Sequence, residues 1–213
     1  LTPSSTGSYI NGTWSQIASL PFGYDPLYYA SAVLPDGKVV IAGGEFNFNM
    51  VSSMNSTSVA AIYDPSTNTW NSFSTPYPFG DAQSVVLPNG TMMVGNCCNR
   101  QQFLLNESTL TWTSTGTGKA DDNSEEGWTA LPDNVSNPYM GGVLTIDING
   151  QNYEIYDPNS GTWTSHGNTG VGLVLCGEIG PAVLRPDGTV FATGASNRTA
   201  IYNSYFPAWH QGP

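Results

Sequence analysis

One spacing recurs four times along this chain and leaves few folds open to it. Tyr63-Asp64 is followed by Trp70, Leu105-Asn106 by Trp112, Tyr156-Asp157 by Trp163 and Tyr202-Asn203 by Trp209. The interval from Tyr or Leu to Trp is seven residues in every copy. Upstream of each pair lies an apolar run that ends in a turn: 31–34 before Pro35-Asp36-Gly37, 84–87 before Pro88-Asn89-Gly90, 128–131 before Pro132-Asp133, and 181–184 before Arg185-Pro186-Asp187-Gly188. A second apolar run follows the turn, as at 38–44 and 189–194. Asp-Gly and Asn-Gly between apolar runs signal hairpins, because both residues tolerate positive φ. Each unit therefore predicts four short strands, a to d, with Tyr or Leu on c and Trp on d. Near-continuous apolar strands suit sheets covered on both faces, which repeated sheets achieve by stacking on one another.

This pattern resembles the kelch repeat over residues 14 to 209, including Gly43-Gly44 after strand b and the Tyr…Trp pairs. Copies two to four depart from the double glycine, with Gly95-Asn96, no pair, and Gly194-Ala195. The resemblance implies an all-β kelch β-propeller in one domain, 1–213, with four four-stranded blades at about 28–73, 81–115, 125–166 and 178–211. Trp14 reads as one extra outer strand near 13–18. Kelch propellers commonly have six or seven blades and close by pairing an N-terminal strand with C-terminal ones, which protects sheet edges. The expectation is a fragment or one piece of a cleaved propeller, with the remaining blades supplied by a missing segment. The chain is similar to secreted kelch-motif proteins of fungi and bacteria and to the propeller domain of galactose oxidase and glyoxal oxidase.

Charge narrows the partners. Five Lys and Arg against sixteen Asp and Glu give a net charge of -11, which repels phosphate backbones and anionic membranes. Nucleic-acid and membrane partners are excluded on this ground. Six N-x-S/T sequons, at Asn11, Asn55, Asn89, Asn106, Asn134 and Asn197, mostly fall in predicted turns, where a glycan fits. The opening Leu1-Thr2-Pro3 reads as a processed N-terminus. A secreted, extracellular glycoprotein is expected.

In a propeller, strand a lines the central channel and the d–a and b–c loops share one face. Counting back six from the Leu that ends strand a gives Tyr28, Asp81, Glu125 and Glu178, predicted to ring the channel mouth. Glu45 begins the first b–c loop, Asp147 lies near the third, and Glu126 adjoins Glu125. Ligand-binding candidates are Tyr28, Glu45, Asp81, Glu125, Glu126 and Glu178. Asp81, Glu125 and Glu178 are candidate ligands for a hard cation such as calcium, which takes several oxygen donors. Alternatively each carboxylate caps strand N–H groups, repeated because the blades repeat. Phe46, Phe48, Met50 and Met54 on the long first b–c loop suit sugar stacking, a protein contact or a small apolar satellite.

Cys97, Cys98 and Cys176 are disulfide candidates on the same face: Cys97–Cys98, or either one to Cys176 across the mouth, with one thiol left over. The galactose oxidase resemblance would imply a copper–radical site. His166, in a d–a loop, and His210 after the last Trp are too few to hold copper, so copper is disfavoured. The expected function is a binding module for carbohydrate, cation or protein at an acidic mouth. The alternative is an extracellular enzyme at that mouth, a copper-radical-like oxidase or a carboxylate-based glycoside-active one.

Overall fold

The computed structural model describes residues 1–48, 56–81, 83–96, 98–123, 126–133 and 141–213. Eighteen strands follow in chain order among them, and sixteen make four four-stranded antiparallel sheets. Blade 1 is β2 (Ala30–Val33), β3 (Val39–Ala42), β5 (Thr57–Asp64) and β6 (Thr69–Phe79). Blade 2 is β7 (Ser84–Val86), β8 (Met92–Gly95), β9 (Gln102–Asn106) and β10 (Thr111–Thr115). Blade 3 is β11 (Thr129–Ala130), β12 (Val143–Ile146), β13 (Asn152–Asp157) and β14 (Thr162–Asn168). Blade 4 is β15 (Ala182–Leu184), β16 (Thr189–Thr193), β17 (Thr199–Asn203) and β18 (Ala208–Gln211). The short strands β1 (Pro26–Leu27) and β4 (Phe46–Asn47) pair with each other at the edge of blade 1.

The seven-residue interval has a simple geometric origin. Tyr63 and Trp70, Leu105 and Trp112, Tyr156 and Trp163, and Tyr202 and Trp209 are cross-strand partners on the c–d hairpin. The three Tyr–Trp pairs place their ring centroids 5.1–5.4 Å apart. The residue after each Tyr or Leu holds the turn. Asp64, Asn106, Asp157 and Asn203 each accept, through Oδ1, the backbone N–H two residues on, at 2.8–3.1 Å. This Asx turn gives the hairpin its fixed length.

Blades pack in chain order. One cluster joins Val40, Ala42, Ala60 and Ile62 of blade 1 to Met92, Val94, Phe103 and Leu105 of blade 2. Met93 then meets Val143, Tyr156 and Trp163, and Leu144, Ile146, Tyr153 and Ile155 meet Val190, Ala192, Ala200 and Tyr202. Adjacent strand residues point to opposite faces, so Met92 with Met93, and Val143 with Leu144, are buried on both sides. Blade 4 is different. Val190 and Tyr202 are fully buried against blade 3, while Phe191 and Ile201 on the other face are half-buried and Val183 is exposed.

The N-terminal segment does not form the expected outer strand near 13–18. Thr13 makes an isolated bridge to Thr2, and Trp14 is 82% exposed. Every described blade already has its own fourth strand, so this segment finds no c strand to pair with. It lies instead on the outer face of blade 1, where Tyr24 and Leu20 pack against Ile41 and Ala61. Trp70 Nε1 donates to the Ala18 carbonyl (3.0 Å), and the Tyr24 hydroxyl donates to the Gly43 carbonyl (2.8 Å). No helix among the described residues is long and apolar enough to cross a membrane.

Candidate functional site

Two groups of carboxylates lie on the loop face expected to carry function. The first is a rim between blades 1 and 2. After strand β3, Gly43 and Gly44 turn at φ +71° and +138°, and the Gly44 N–H donates to the Phe79 carbonyl at 2.6 Å. A Cβ at Gly43 would collide with the Phe79 carbonyl and side chain. Only a residue without a side chain lets the b–c loop approach β6 this closely. That approach sets Glu45 beside Asp81, and the two side chains share a hydrogen bond. Burial first, then the charge and hydrogen bond of Asp81, hold the Glu45 carboxyl above its ordinary range.

Beside this pair runs a row of aromatic rings. Tyr28 meets Phe46 edge-on at 5.9 Å, and Phe46 meets Phe48 at 6.2 Å. Tyr28 is 62% exposed and Phe48 59%. Tyr28 and Asp81 both hold positive φ, at 52° and 42°. Asp adopts that conformation readily, whereas for the bulky Tyr28 it is strained, and such strain gathers where a site over-determines the backbone.

The second group is buried at the junction of blades 2 and 3. The connection from β10 runs along β14: the Trp163 N–H donates to the Thr117 carbonyl (2.8 Å), and a Cβ on Gly118 would sit 2.9 Å from the Trp163 carbonyl. This path carries Lys119 inward, its ammonium 5.2 Å from the centroid of the Trp163 ring. Lys119 Nζ donates to Glu126 Oε1 at 2.9 Å and to Glu154 Oε2 at 2.8 Å. Glu126 Oε2 also accepts from Trp128 Nε1 (3.3 Å) and Thr145 Oγ1 (3.1 Å). Glu154 Oε1 accepts the Ala120 N–H at 2.7 Å. Asp121 accepts from the backbone and side-chain nitrogens of Asn149, at 3.0 and 2.6 Å.

These acids respond differently to one enclosure. Burial pushes Glu126 up to about 7 against the opposing pull of Lys119. Asp147 rises to about 8 through burial and then through its hydrogen bond to, and charge repulsion from, Glu154. Burial would also raise Glu154, but Lys119 and the Ala120 N–H outweigh it and hold that carboxyl low. Lys119 itself, although burial opposes its charge, is held above its usual value by Glu126 and Glu154.

The expected mouth residues therefore separate. Tyr28, Glu45 and Asp81 come together at the rim. Glu178 is exposed in a turn two blades further on, its backbone bridged to Leu175. Glu126 and Asp147 are not presented to the mouth. Both are buried, because the connection folds under the loop face to reach Lys119. His166 lies inside β14 rather than in a loop and stacks on Tyr153 at 5.3 Å, where burial lowers its pKa. Cys98 and Cys176 are exposed free thiols. Asn11, Asn89, Asn106 and Asn197 are exposed. On the opposite face, Asn89 and Asn106 flank a groove of about 400 Å³. Met50, Met54, Asn55, Cys97, Glu125 and Asn134 lie outside the described residues.

Lys119, Asp121 and Glu154 escape a reading based on loops. Glu154 carried a signal nonetheless: an acid between Tyr153 and Ile155 on a central strand must find a partner.

A model of the Kelch motif matches residues 26–76, the span of blade 1 and the one copy that keeps the double glycine. Selenomethionine-substituted virginiamycin B lyase from Staphylococcus aureus, a propeller, matches with a TM-score of 0.57 at 11% identity over 86% of this chain. The chain spans about half (54%) of that protein's length. No curated protein matches the sequence. The fold is an all-β propeller whose first blade matches the Kelch motif, and the chain is a propeller module.

Proposed function

We propose that the chain is a carbohydrate-binding propeller module whose ligand lies on the rim between blades 1 and 2. The observation that carries this reading is the aromatic row of exposed Tyr28, half-buried Phe46 and exposed Phe48 beside the carboxyls of Glu45 and Asp81. Aromatic faces take up the C–H surfaces of sugar rings, and carboxylate oxygens accept from their hydroxyls. Exposed sequons at Asn11, Asn89, Asn106 and Asn197 support a secreted glycoprotein. The half-buried outer face of blade 4 supports further blades completing the ring.

The test is calorimetric titration with gluco-, chito-, manno- and xylo-oligosaccharides. One class is expected to bind, with Tyr28→Ala weakening it about tenfold or more, that is ~1.4 kcal/mol. No binding to any class, or binding indifferent to Tyr28→Ala, would sink the proposal.

A further inference from the structure

The junction cluster is independent of the rim and has a property that its ion pairs leave unexplained. Four carboxylates, Asp121, Glu126, Asp147 and Glu154, face one ammonium, Lys119. Lys119 serves Glu126 and Glu154 at 0% side-chain exposure, so four buried acids share a single buried ammonium. Uncompensated buried charge is costly, and such groups are ordinarily paired or bound to metal.

The geometry is more specific than the charge. One oxygen each from Asp121, Glu126 and Asp147 lies within 4.8 Å of the other two. Oxygen ligands ~2.3–2.6 Å from a calcium ion are at most about 5 Å apart, so three such atoms fit one coordination sphere. Asp147 is 3% exposed; its side chain meets Glu154 as one acid meets another, and its Oδ1 accepts from no N–H or O–H donor of the surrounding chain. Buried polar atoms are otherwise almost always satisfied, and an orphaned carboxylate oxygen next to two other carboxylates calls for a donor or a cation.

We propose that Asp121, Glu126 and Asp147 bind a hard divalent cation of the calcium class, with Lys119 and Glu154 as the ion pair behind it. The surrounding shell is built for the task. Asn149 fixes Asp121, and Trp128 and Thr145 fix Glu126, so two of the three ligands are oriented before the ion arrives. The three ligands come from the β10–β11 connection and from the loop after β12, so the ion would fasten the blade 2–3 crossover to blade 3. This site differs from the mouth set of Asp81, Glu125 and Glu178.

The proposal is tested on the full chain after EDTA treatment and dialysis, using terbium, a luminescent calcium substitute. Trp128 and Trp163 stand at the cluster and would sensitise its emission on excitation of the indoles. One equivalent of terbium is expected to luminesce and to be displaced by calcium. Asp147→Asn should weaken binding more than about tenfold, and Asp121→Asn likewise, whereas Glu178→Gln should leave it unchanged. No sensitised emission from the stripped wild-type chain overturns the proposal, whatever the variants do. Emission lost in Glu178→Gln but kept in both aspartate variants also overturns it, since the ion would then sit at the mouth.

Discussion

Glu45 with Asp81 at the rim, and Glu126 with Asp147 at the junction, are acids brought together by connections between strands, yet water reaches one set and not the other. At the rim the cost of like charges side by side is met by solvent and by the raised pKa of the Glu45 carboxyl. At the junction the same chemistry requires Lys119, seven neighbouring N–H or O–H donors, and the face of Trp163. The difference lies in the route of the chain. Gly43-Gly44 lifts a loop against β6 while leaving it at the surface, whereas Gly118 lets a connection dive under the face. Acidic loops of one repeat position can thus end as a binding surface in one blade and as interior scaffolding in another.

Three substitutions probe that contrast, beginning with the largest effect. Lys119→Met preserves the stem but strands its buried carboxylates. A loss of about 3–5 kcal/mol is expected, read as a lowered urea midpoint in EDTA. If the loss is no larger than that of a rim variant, the junction is not shielded from water as described. Gly43→Ala forces a Cβ into Phe79 at φ +71°, costing about 1–3 kcal/mol and parting Glu45 from Asp81. Oligosaccharide binding should be lost with it, while terbium emission persists. Asp81→Asn should alter stability by no more than about 0.5 kcal/mol, because both side chains reach solvent. Its signature is electrostatic. Asp81 raises the Glu45 carboxyl, so removing that charge lets Glu45 ionise at lower pH, a downward shift in its NMR titration midpoint. An unmoved midpoint would mean that the rim acids do not interact.

What the sequence made legible follows the range of each interaction. The Tyr…Trp frame, the Asx residues and the Asp-Gly or Asn-Gly turns act over a few residues, so their spacing alone predicts hairpins and blades. The rim was partly legible, because Tyr28, Asp81 and Glu45 hold equivalent or adjoining positions in the repeat. The junction was not. Lys119 and Glu154 are 35 residues apart and meet only because the β10–β11 connection turns inward, which no residue count reveals. Glu126, expected at the mouth as the neighbour of Glu125, is withdrawn from it by the path of the chain. Trp14 misled for the opposite reason: its type suggested a d strand, but Tyr24 and Leu20, not Trp14, anchor that segment.

The unequal faces of blade 4 bear on how the molecule comes apart. Each interior blade is held by two neighbours, so removing it exposes two apolar interfaces, whereas blade 4 has blade 3 behind Val190 and Tyr202 and only partial cover over Phe191 and Ile201. In a linear array whose stability is a sum of units and nearest-neighbour couplings, opening begins at the end with one coupling. Among the four described blades, blade 4 has the less covered apolar face, so its amides are expected to exchange faster than those of blade 3, and a further blade seated over Phe191 and Ile201 would slow them.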